Sequence, residues 1–106
     1  MVKFKNTLGK GSVRYIVFKE QDIWYAAALE FNIVESGNDP REVLLSLFEA
    51  IQGYIDSARK IKARSHILNQ KVDPEYEQLW HSLKYGQLAE SQPVVYTFGE
   101  RALVTV

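Results

Sequence analysis

Among the carboxylates on or beside the strand-like first half of the chain are Asp22, Glu30, Glu35 and Asp39. A divalent cation needs several such oxygens converging in one cavity, where it can polarise a phosphate ester or activate a water. A metal-dependent nuclease centre at Asp22, Glu30 and Glu35 is the chemistry these residue types would support. Their spacing follows no rule that brings them together: Asp22 falls in a turn, and Glu30 alternates onto the face of Trp24 and the alanines. The densest stretch is ESGNDPREV, Glu35 to Val43. A phosphate loop wants several glycines whose backbone N–H groups converge, but here Gly37 stands alone between Glu35 and Asp39, which repel an anion. A helix start fits better, with Asp39 as N-cap, Pro40 in the first helical position, Glu42 reaching back to the cap, and Gly37 turning the chain at positive φ.

His66 and His81 have no cysteine or second histidine at metal-ligand spacing, and no serine lies in a nucleophile-elbow context. The reading is therefore of a protein that is no enzyme and holds no cofactor or metal.

Charge is partitioned although the net charge is zero. Residues 1–19 carry five Lys and Arg and no acid, and residues 20–56 carry eight acids against Arg41 alone. Residues 57–71 are again purely basic, with Arg59, Lys60, Lys62, Arg64 and Lys71. A basic run can contact nucleic acid, and Arg59, Lys60, Lys62 and Arg64 are the candidate contacts. Cations also belong at a helix C-terminus, where the macrodipole is negative, and this competing account needs no ligand. The aromatic residues mostly fall on apolar stripes and read as core rather than as a base-stacking platform.

These residues need a scaffold. VRYIVFKE (13–20) and IWYAAALEF (23–31) read as strands joined by a turn, and IVES (33–36) as a short third strand. From Pro40 the period changes: Leu44, Leu47, Phe48, Ile51, Tyr54, Ile55, Ala58 and Ile61 mark an amphipathic helix of about six turns. A second helix begins at Asp73 and Pro74, with Tyr76, Leu79, Trp80 and Leu83 as its stripe and Gly86 at its end. PVVYTF (93–98) and ALVTV (102–106) read as two further strands around a GER turn. Both faces of the first strand are apolar: Tyr15 and Val17 on one, Ile16 and Phe18 on the other. A single helix covers only one face. The second helix, the C-terminal strands or another chain must cover the other.

The chain has 106 residues, enough for one α+β domain. Its expected parts are a flexible arm over 1–12, a β-β-β-α core over 13–64, and a helix-and-strand extension over 65–106 that packs in the same domain or forms a dimer. It has no cysteine. No run approaches the roughly 20 apolar residues of a membrane span, and the start lacks the apolar stretch of a signal peptide. A cytoplasmic protein without membrane contact is expected.

The stretch VRYIVFKEQDIWYAAALEFNIVESGNDPREVLLSLFEAIQGYI resembles the HicB family of antitoxins from type II toxin–antitoxin systems. The likeness lies in the acidic hairpin KEQDIWYAA, the turn SGND and the helix PREVLLSLFEAIQGYI. It departs from that family at LEFNIV, which keeps Glu30 but lacks the family's prolines and glycine. The C-terminal third also carries no ribbon-helix-helix or helix-turn-helix pattern, so the likeness is to a stand-alone form without a DNA-binding domain. The resemblance implies a partial ribonuclease H-like fold, a three-stranded antiparallel sheet with one long helix, that lacks the catalytic carboxylates. It implies a protein-binding module that masks a small basic ribonuclease toxin, as a homo-oligomer. Trp24, Glu30, Glu35, Tyr54 and Trp80 are the expected partner-binding residues, and an RNA- or DNA-binding protein using 57–71 is the alternative.

Overall fold

Alternation of apolar side chains on both faces produces a sheet that must be covered twice, and the computed structural model, which describes residues 6, 11–86 and 93–103, shows how. Strands β1 (Ser12–Glu20), β2 (Ile23–Ala28) and β3 (Ile33–Gly37) form an antiparallel meander. Helix α1 (Pro40–Lys60), helix α2 (Pro74–Lys84) and strand β4 (Val94–Ala102) follow. β4 returns to pair antiparallel with β1, so the order across the sheet is β3-β2-β1-β4. The β1–β2 loop is two residues, Gln21 and Asp22, both at positive φ (50° and 68°). That is the mirror-image turn that matches strand twist.

Two cores result, one on each face. Val13, Val17, Ala26 and Ala28 meet Val43, Leu47, Ile51, Ile55 and Ala58 of α1. Ile16, Phe18, Ala27 and Leu29 meet Trp80, with Tyr76, Leu79 and Leu83 of α2 packed around them. On the α1 side, Ala26 and Ala28 let helix and sheet approach closely. The second face is thus covered by the chain's own α2.

The expected three-stranded sheet is a four-stranded one. The expected turn at Gly99-Glu100-Arg101 is also absent: β4 runs through it, and Gly99 sits opposite Tyr15. A Cβ on Gly99 would lie 3.0 Å from the Tyr15 hydroxyl, so this glycine admits a neighbouring ring instead of bending the chain. Residues 104–106 of the second expected strand lie outside the described residues. Gly37 is the same kind of correction. It does not take positive φ; it ends β3 opposite Trp24, and a Cβ there would lie 3.0 Å from Val43.

Both helix starts follow the sequence. Asp39 accepts from the Arg41 N–H at 2.8 Å and Asp73 from the Glu75 N–H at 2.9 Å, each with proline next. At the other end of α1, Ala63 N–H donates to Ala58 O and Lys62 N–H to Arg59 O, a Schellman closure with Lys62 at φ 52°. In the stretch 1–12, expected to be a loose arm, Asn6 is fully buried. Its side chain donates to Leu68 O and accepts from Ser12 N–H, while its backbone exchanges two hydrogen bonds with the Asn69 amide.

Candidate functional site

The four carboxylates do not converge. Asp22 is fully exposed at the hairpin tip, Asp39 is spent on its cap, and Glu35 lies on edge strand β3 opposite Ala26. Glu30 is buried at 7 % exposure. Its Oε1 accepts from the Arg14 backbone N–H at 2.8 Å, and its Oε2 accepts from Arg14 Nε at 2.6 Å. Among the described residues no three His, Asp or Glu side chains are grouped to hold a metal ion, so the nuclease centre at Asp22, Glu30 and Glu35 does not assemble.

Arg14 is the hub that sequence reasoning missed. Its guanidinium also contacts Glu77 of α2, from Nη1 at 3.0 Å and Nη2 at 2.6 Å, and lies 5.2 Å from the Trp80 ring centroid. Burial works against the Arg14 charge, but hydrogen bonds to Glu77 and Glu30 and their negative charge outweigh it and raise its pKa above the ordinary value. The available signal was an arginine in register with Ile16 and Phe18, a charge on an apolar face that demands a buried counter-charge.

Of the five expected partner-binding residues, three are committed inside the fold. Glu30 holds Arg14. Trp80 is 4 % exposed, stands edge-on to Phe98 and donates from Nε1 to Gly99 O at 3.3 Å. Tyr54 stacks on Phe31 with centroids 4.7 Å apart, and its hydroxyl donates to Ile67 O and accepts from Gln70 Nε2. Glu35 and Trp24 remain half-exposed. Trp24 meets Tyr96 edge-on at 6.1 Å, under Lys19 at 5.8 Å.

The basic candidates also divide. Arg59 pairs with Asp56 at 3.7 Å, whereas Lys60, Lys62, Arg64, His66 and Lys71 are exposed. Lys60 ends α1, and the others ride on the segment after it, which is held by Asn6, Tyr54 and Gln70. By contrast, of the acids of 20–56, Glu20, Asp22, Glu42, Glu49 and Asp56 are exposed, Glu35 and Asp39 are half-buried, and only Glu30 is buried.

The fold and these surfaces define an α+β protein with a four-stranded antiparallel sheet and a helix on each face. The chain matches no family model, no curated protein and no solved structure. Among the described residues no helix is long and apolar enough to cross a membrane.

Proposed function

We propose that this chain is a non-enzymatic protein-binding module of the HicB-antitoxin kind, with a partial ribonuclease H-like core, that masks a small basic ribonuclease toxin. One observation carries the reading: within residues 20–56 the exposed acids Glu20, Asp22, Glu42, Glu49 and Asp56 are set against a single exposed cation, Arg41. Such a field steers a basic partner and selects against acidic ones, and adds more to association rate than to affinity. The β-β-β-α order of residues 12–60 supports the resemblance. The test is co-purification with a basic ribonuclease encoded beside this protein, with RNA cleavage measured against added chain. Glu42→Lys with Glu49→Lys is expected to slow association about tenfold at low salt. Absence of binding to such a toxin defeats the reading.

The pinned basic loop favours a second reading, an RNA- or DNA-backbone contact through Lys60, Lys62 and Arg64. It predicts affinity falling steeply with salt, and further on Lys60→Glu plus Arg64→Glu. An unshifted nucleic acid at low salt removes it.

A further inference from the structure

Among the described residues the sheet has two edges, and they are protected unequally. β3 is five residues long, carries Glu35 and Ser36, and has α1 packed along it. A short, charged, covered edge is a poor template for another strand. β4 is nine residues long, has no internal proline, and is uncharged from Val94 to Gly99. Among the described residues nothing pairs with its outer side. Val94 and Tyr96 are large, apolar-bodied and 63 % and 44 % exposed. Among the described residues, the blunting devices along this edge are a register shift opposite Val17 and Phe18 and the charges of Glu100 and Arg101 at one end.

We propose that β4 is a self-association edge: a second copy lays its own β4 alongside, antiparallel, about a twofold axis normal to the sheet. The two four-stranded sheets become one, with α1 of both copies on one side and α2 of both on the other. A second copy fits this edge for three reasons. The chain's net charge is zero, so copies do not repel. An antiparallel strand pairing with itself makes an isologous interface, the commonest closed form. Pairing centred on Phe98 sets the uncharged Val94–Tyr96 end of each strand against the Glu100–Ala102 end of the other. Each Glu100 then faces a tyrosine, and the two Glu100 residues lie about 14 Å apart along the strands, beyond a physiological screening length.

This inference rests on the sheet edge and not on toxin binding, and its test uses the chain alone. Sedimentation velocity from about 1 to about 200 μM should show the mass rise toward twice 12.2 kDa. Val94→Lys with Tyr96→Lys, both at exposed positions, should weaken association at least about tenfold with the circular dichroism unchanged. Hydrogen exchange of wild-type β4 amides gives a readout that does not depend on the variant folding: protection should fall on dilution in β4 and not in β2. A wild-type mass that stays monomeric, association untouched by the double lysine variant, or β4 protection independent of concentration would each overturn the proposal. Capture of a foreign strand at β4 while the chain alone stays monomeric would overturn it as well.

Discussion

Arg14, Glu30 and Glu77 show how a single buried charge organises its neighbours. The guanidinium satisfies a carboxylate from the end of β2 and another from α2, and the Arg14–Glu30 pair is sealed at 15 % and 9 % side-chain exposure. Removing one member strands the other. Arg14→Met should cost about 3–5 kcal/mol in chemical denaturation, whereas Arg14→Met with Glu30→Met should cost clearly less, because no unpaired charge then remains in the core. A double variant no more stable than the single would show that Glu30 is not the group penalised. Trp80→Ala should also cost about 3–5 kcal/mol, since the ring fills the α2-side core. The role of Glu30 was not legible from sequence, where it read as a partner-binding residue. Trp80 falls both on the apolar stripe of the second helix and among the expected partner-binding residues, and the core reading is the one that holds. Exposure is a tertiary property: Glu30 lies one residue past Leu29 and one before Phe31, both buried, and only the return of α2 over the sheet closes the space above it.

Element boundaries were legible wherever local chemistry decides them. Asp39-Pro40 and Asp73-Pro74 start helices in the sequence and in the structure, because a cap is a contact between near neighbours. Glycines misled for the opposite reason. Gly37 and Gly99 look like turn residues, yet each makes room for a side chain distant in sequence or across a junction. The α1 C-terminus offers the converse, a left-handed position held by Lys62 where glycine is the default. Lys62→Gly should raise stability by up to about 1 kcal/mol, measured by denaturant midpoint at constant slope. A loss of stability would mean that the lysine makes a contact outweighing the backbone cost. On α2, burial raises the Tyr76 phenol pKa, followed by the negative charge of Asp73, Glu20 and Glu75. A folded pKa above the unfolded one gives a stabilisation present below about pH 10 and lost as pH rises through the folded value. Tyr76→Phe should therefore flatten the fall of stability above about pH 10, followed by thermal melting across that range.

At the scale of the molecule, one sheet serves two cores whose attachments differ in kind. α1 lies directly on β2 and β3, its backbone close to theirs over alanines and glycine, and its C-terminal half is tied to the following loop by Tyr54 and Gln70. α2 stands off from the sheet on large side chains, Trp80, Tyr76, Leu79 and Leu83, and is tied to it by the ionic link from Glu77 to Arg14. Elements attached through few side chains open at lower free energy than elements whose backbone is packed. Native-state hydrogen exchange should accordingly place α2 amides in a sub-global opening several-fold faster than those of α1 and β1. Trp80→Ala should speed exchange in α2 far more than in α1, and Leu47→Ala should speed both, because Leu47 is fully buried in the core that holds the sheet together. Equal protection of the two helices in the wild type would mean that the two faces fold and open as one unit. In that case α2 would be as integral to the sheet as α1, and the chain would expose its second apolar face only on global unfolding.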